Sequence, residues 1–236
     1  MEKLLEQLVG RTTKTFGDRL VSVILYGSAA VGDHTGRYSD INVLCVLDRI
    51  TTRELADAEP VFRWWRELGN PSPLLLTEEE VRTSTDCFPI EFRDIRERHR
   101  VLYGRDVVAD LEIDDCFYRA QVEHELRAKL LRLRQKGAGV MRDRELLVRL
   151  LAESVSTFCV LTRHALILHG VAASLKKREI VEQARQSFGL DPAPFLLLLD
   201  LREAKIKPKA VDAVALYEQY LSQLQRVVAA VDRLAK

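Results

Sequence analysis

The sequence predicts an α/β (α+β) domain built on a mixed sheet, about residues 1–110, followed by an all-helical bundle domain, about 115–236. Three observations carry this. Short apolar runs rich in β-branched residues alternate with helical stretches in the first half. From about residue 115 onward only helical periodicity is found. A Gly-Ser pair separates the first two apolar runs, where a chain would turn closely around a ligand.

In order, Leu5, Leu8, Val9, Thr12 and Phe16 fall at helical spacing, so residues 2–16 read as an amphipathic helix stopped by Gly17 and Asp18. "RLVSVILYG" and "INVLCVL" (41–47) read as buried strands. "TTRELADAEPVFRWWRELGN" reads as a helix with Leu55, Phe62, Trp65 and Leu68 as its apolar stripe, interrupted at Pro60 and ended by Gly69. "PLLL" (73–76) is a short strand, and Thr77 with Glu80 is a capping box for a brief helix. "FPIEFRDI" (88–95) reads as another strand, with Pro89 at its start or on an edge, and "RVLYG" closes the domain. Helices are then expected over 115–136, 143–169 and 174–188. A fourth opens at Asp191-Pro192, and a last carries Val214, Tyr217, Leu221, Leu224, Val228 and Val231.

Composition narrows the function classes. Lys+Arg (36) and Asp+Glu (35) nearly cancel, so bulk charge gives no reason to expect a nucleic-acid partner or membrane adhesion. The four cysteines are far apart with no CxxC pair, which argues against zinc and for a reducing, cytoplasmic setting. "MEKLLEQLVG" carries charges among its leucines, unlike the core of a signal peptide, and "PFLLLLDL" is too short to span a bilayer.

The stretch that carries chemistry is "LYGSAAVGDHTGRYSDINVLCVLD" (25–48). Gly27 permits a sharp turn and close approach, consecutive backbone N–H groups there make an anion cradle, and the Ser28 hydroxyl adds a donor. Such a loop suits a polyphosphate. Twelve residues past Ser28, Asp40 and Asn42 stand two apart at the start of the second strand, so they share a face while Ile41 and Val43 point into the core. Two carboxylates so placed would hold Mg²⁺ bridging a nucleoside triphosphate.

Hydrophobic-Gly-Ser, a spacer, then Asp-x-acid resembles the pattern of the DNA polymerase β-like nucleotidyltransferase superfamily. The layout is most similar to kanamycin nucleotidyltransferase and the minimal nucleotidyltransferases, which add a helical bundle. The resemblance covers about the first 108 residues well and the helical half in outline. It implies transfer of a nucleoside monophosphate from a Mg²⁺-bound triphosphate to an acceptor the sequence does not name, with one or two metal ions. It implies a third carboxylate on a later strand, for which "PIEF" offers Glu91, with Asp94 in reserve. Gly27 and Ser28 would hold phosphates, and Arg37 could reach them. Asp40, Asn42 and Glu91 would form the catalytic and metal-binding set. A homodimer is compatible with the sequence, which does not fix oligomeric state.

Asn42 departs from the pattern: it offers one neutral oxygen and an NH₂ group where the family has an acid. Three outcomes stay open: catalysis with one tightly held metal, use of a different acid, or nucleotide binding without chemistry. Other candidates carry less. "RDIRERHR" (93–100), with His99, reads as a solvated charge run. "KKR" (176–178) and Arg202, Lys205, Lys207 and Lys209 read as helix-end charges. Arg163 and His169 resemble the Arg-x₄₋₆-His motif of HEPN ribonucleases. On a regular helix, however, positions six apart differ by about 240° and do not share a face.

Overall fold

A computed structural model describes residues 1–31 and 40–234. Met1–Phe117 and Tyr118–Lys236 form two compact units. The first unit holds a four-stranded mixed sheet in the order β3-β2-β1-β4: β1 (Leu20–Tyr26), β2 (Asn42–Leu47), β3 (Leu74–Thr77) and β4 (His99–Gly104). β1 runs antiparallel to both its neighbours, and β2 pairs with β3 in parallel. Among the described residues no strand follows Gly104.

Both faces of β1 and β2 are buried, which is why they read as continuous apolar runs rather than alternating ones. On one face Val23, Leu25, Val43, Cys45 and Leu47 pack with Leu5 and Leu8 of α1 (Glu2–Phe16) and with Ala58, Val61 and Trp65 of α2 (Thr52–Glu67). On the other, Ile24, Leu44 and Val46 meet Val81 of α3 (Glu78–Thr83) and Phe92 and Ile95 of α4 (Pro89–Glu97). Burial thus selects the register twice, because a one-residue slip would exchange the two faces.

Three expectations for this unit are corrected. The segment 88–95, expected as a strand, is the helix α4. Its Pro89 is an N-terminal helix residue rather than a strand edge, and Pro89, Phe92 and Ile95 recur every third residue and are buried. In α2 the expected stripe is rotated: Leu55 and Leu68 are about half exposed, and Glu54, Ala58, Val61 and Trp65 face inward. The cause is Glu54, which closes a capping box with Thr51 and pairs with Arg19, so it takes an interior position despite its charge. Arg19 also reaches Asp57 at 3.0 Å and the carbonyls of Thr15 and Phe16, tying the end of α1 to the start of α2. α2 continues through Pro60, which lies on its exposed side.

The second unit is α5 (Tyr118–Ala138), α6 (Arg144–Leu168), α7 (Lys177–Phe188), α8 (Ala193–Arg202) and α9 (Ala213–Asp232). α6 packs against all four others. α5 does not stop at Lys136 as expected; it includes Gly137, because a side chain there would run into Tyr217 of α9, with a Cβ only 2.3 Å from the phenol oxygen. The Tyr217 hydroxyl donates back to the Leu133 carbonyl at 3.3 Å. In α9, Val214 is half exposed, while Tyr220 and Val227 are fully buried beside the expected Tyr217, Leu224, Val228 and Val231.

Gly137→Ala should lower stability by about 1–3 kcal/mol through overpacking, less the ~1 kcal/mol gain in helix propensity. Thermal melting checks it. The Glu54 carboxyl is pulled down to about 2 by the Thr51 hydroxyl, followed by Arg19, against the opposing effect of burial. A depressed carboxylate contributes stability that is full above its ordinary value and is lost as pH falls. Between pH 4.5 and about 2 the wild type should therefore lose stability more steeply than Glu54→Gln, as read by chemical denaturation at stepped pH.

Candidate active site

The site is built at the end of β1. Beyond Tyr26 the chain enters a short 3-10 turn, Gly27–Val31, and Gly27 has φ of +78°. That left-handed backbone favours glycine. The Gly27 N–H donates to the Arg98 carbonyl at 2.9 Å, so this amide serves the junction with β4 rather than an anion cradle. Ser28 follows, half-buried, and Ala29 is packed into the core and fixes the turn from below.

β2 starts opposite. Asn42 pairs with Tyr26, and its Nδ2 lies 3.4 Å from where a Cβ on Gly27 would stand. The amide therefore rests against the turn. Asn42 shares the parity of Leu44 and Val46, which face α3 and α4, while Ile41 and Val43 face α1 and α2. Asp40 is exposed and lies outside β2, two residues before Asn42.

Glu91 comes from an unexpected element, α4 rather than a strand. It sits in the first turn of α4, where the helix dipole favours a carboxylate. Burial pushes the Tyr26 phenol up, and the Glu91 charge pushes it further, which places that carboxylate within electrostatic reach of the residue preceding Gly27. Asp94, one turn on, pairs with Arg98 at 3.2 Å. Arg37 lies outside the described residues. Among the described residues no three His, Cys, Asp or Glu side chains converge as a metal cluster. The candidate donors the sequence named are the carboxylates of Asp40 and Glu91 and the Asn42 amide. That all-oxygen set suits Mg²⁺ only when substrate phosphates and water complete the shell.

The run 93–100 is not a solvated face. Arg93 pairs with Asp115 at 2.5 Å, Arg98 is buried, and His99 is 14 % exposed. His99 contacts the Arg96 carbonyl through Nδ1 at 3.0 Å and Asp106 Oδ2 through Nε2 at 2.9 Å. Burial works to raise the Asp106 carboxyl, but the His99 hydrogen bond and the Val108 and Ala109 amides outweigh it and hold the group low. Sequence reading took Arg98 and His99 as part of a solvated charge run because their partners are not visible along the chain. With α4 as a helix, Asp94 and Arg98 are an i,i+4 pair.

In the second unit, α6 is continuous through Arg163, which is 2 % exposed, and His169 follows its end, bonded to the Ala165 carbonyl and edge-on to Phe188. The basic groups at 176–209 are partly consumed by structure. Arg178 pairs with Asp200 and Glu203, Lys205 with Glu203, and Arg202 donates to the Ala152 carbonyl. Among the described residues no helix is long and apolar enough to cross a membrane.

A mixed sheet with a Gly-Ser turn after its central strand, followed by a helical bundle, is the fold of the DNA polymerase β-like nucleotidyltransferases. Among solved structures, spectinomycin adenyltransferase AAD(9) from Enterococcus faecialis, determined with ATP and spectinomycin, matches this chain with a TM-score of 0.57. The match covers 93% of this chain and 99% of that one at 12% identity, which establishes a common fold. No family model and no curated protein matches the sequence.

The placement of Glu91 is testable without any activity. Glu91→Gln should lower the Tyr26 phenol's titration point toward its ordinary value. An ultraviolet tyrosinate titration, with Tyr26→Phe as the subtraction control, reads it. An unchanged Tyr26 would place Glu91 elsewhere.

Proposed function

We propose that the chain transfers a nucleoside monophosphate from a Mg²⁺-bound triphosphate, ATP in the first instance, to a hydroxyl of a small-molecule acceptor, releasing pyrophosphate. The observation that carries this reading is the Asn42 amide resting against the Gly27 turn, in a fold shared with a solved adenyltransferase. The ATP and spectinomycin of that neighbour support the donor and the class of acceptor. Four free thiols fit a reducing cytoplasm.

In this reading the Ser28 hydroxyl and the turn amides beyond Gly27 orient the triphosphate. Asp40 and Glu91 supply the two charged oxygens that would hold Mg²⁺. Asn42 supplies a neutral oxygen in the same set, or turns its NH₂ to a phosphate oxygen. Bound Mg²⁺ would contribute neutralisation of phosphate charge and a more acidic attacking hydroxyl. The acceptor oxygen forms a bond to the α-phosphorus as the bond to the bridging oxygen of pyrophosphate breaks.

Asn42 also favours a second reading, a protein that binds nucleotide without turnover. One charged ligand fewer weakens metal-dependent catalysis more than it weakens binding, because the triphosphate brings its own oxygens to the metal. Calorimetry with a non-hydrolysable ATP analogue, with and without Mg²⁺, and pyrophosphate release from ATP separate the two. We expect Mg²⁺-dependent binding by the wild type and its loss in Asp40→Ala. Asn42→Asp should tighten Mg²⁺ and raise turnover by on the order of tenfold, the scale of one charge-assisted ligand. Binding with no release in either form selects the second reading. Absence of binding at millimolar Mg²⁺ overturns both.

A further inference from the structure

Because the Gly27 amide is bound to the Arg98 carbonyl, the turn has one donor fewer for an anion than its sequence predicts. The same arginine, whose backbone is bonded to the turn, carries a buried charge. It is 8 % exposed, and its Nη2 meets Asp94 Oδ1 at 3.2 Å. Its Nε is buried and has no hydrogen-bond partner among the described residues. A guanidinium carries five N–H donors in a planar fork and stays charged at any ordinary pH. Buried cations are normally paired and their donors satisfied, so a buried Nε without an acceptor calls for an explanation, and a ligand supplies one.

The surroundings identify that ligand's charge. Asp94 and Glu91 are three residues apart and so lie on one side of α4. Glu91 acts on Tyr26, which precedes the turn, and Asn42 begins the neighbouring strand, with Asp40 two residues before it. A polyphosphate entering there would meet the negative charges of Asp40, Glu91 and Asp94, and Arg98 is the buried cation whose own backbone is bonded to the turn.

We propose that Arg98 is an anion-binding residue of this site, holding phosphate oxygens of a polyphosphate at the Gly27–Ser28 turn through the fork that now rests on Asp94. That the polyphosphate belongs to a nucleotide rests on the function proposed above; the anion site itself does not.

The probes are inorganic tripolyphosphate without metal, and the non-hydrolysable ATP analogue with Mg²⁺, both measured calorimetrically on the full chain. Arg98→Gln should weaken both by about 10- to 100-fold, the effect of losing charge-assisted hydrogen bonds. Asp94→Asn should leave metal-free tripolyphosphate binding unchanged or tighter, because it removes a competing carboxylate and frees the guanidinium. A merely structural ion pair gives the opposite result, with both variants weakening binding alike through a shared loss of stability, and that outcome overturns the proposal. Circular dichroism and melting establish that each variant is folded. If Arg98→Gln is not, the sign of the Asp94→Asn effect and a reduced loss in Arg98→Lys decide. If the ATP analogue binds and Arg98→Gln matches the wild type, Arg98 is not a ligand and the nucleotide reading stands alone. If tripolyphosphate binds in an Arg98-dependent way and the analogue does not, the anion site stands and the nucleotide reading fails. If the wild type binds neither, both fail.

Discussion

The position of every candidate side chain in the first unit depends on the register of β1 between β2 and β4. Tyr26 is the hinge of that register: it faces Asn42 on one side and His99 on the other. Those pairings bring together the Gly27 turn, the start of β2 and the end of α4, although they come from distant parts of the chain. The register is held by burial on both faces, with Val23 and Leu25 committed to α1 and α2 and Ile24 committed to α3 and α4. A shift by one residue would carry Asn42 away from the α4 side and put Ile24 and Leu25 on the wrong cores at once. The hydrophobic effect thus sets a polar geometry it does not itself touch.

Charge is used in this unit as a fastening, and the buried or half-buried ions come in complementary sets. Arg19 draws Glu54 inside and gathers the end of α1. Asp115 pairs with Arg93, and Asp106 with His99. Charges withdrawn from water are tolerated only when paired and hydrogen-bonded. Arg98 departs from that economy, with one ion pair and one unsatisfied donor. Asn42 acts in the same direction. An amide adds no negative charge beside the Gly27 turn.

The helical unit is organised by a different constraint. α6 is buried along much of its length and touches every other helix of the unit, so its polar groups must find partners inside. His164 is fully buried with Nδ1 2.6 Å from the Tyr118 hydroxyl, and Tyr220 makes edge contacts with Phe158 and Phe195 while its hydroxyl meets Ser154. Gly137 lets α5 approach α9 closely enough for Tyr217 to reach the Leu133 carbonyl. Arg163 and His164, adjacent in the chain, are both buried in this interior.

By itself the sequence determined the elements whose local signals agree with their burial: α1 from its single apolar stripe, β1 and β2 from uninterrupted apolar runs, the turn from Gly27, and the helical second half from sustained periodicity. It also placed Asn42 at the head of a strand with Val43 turned to the opposite face, because side-chain alternation is a local property. Tertiary structure decided the rest where local signals were ambiguous or needed a distant partner. "FPIEFRDI" fits both period two and period three; the choice of helix came from the face of the sheet that Phe92 and Ile95 had to cover. The rotation of α2 depended on Arg19, thirty-five residues before Glu54, and no window along α2 contains that cation. The commitment of the Gly27 amide to Arg98, and with it the arginine beside the turn, exists only once β4 has paired with β1. Pairing energies between residues far apart in the chain leave no periodic trace, which is why the residue bonded to the turn was one the sequence left in a solvated run.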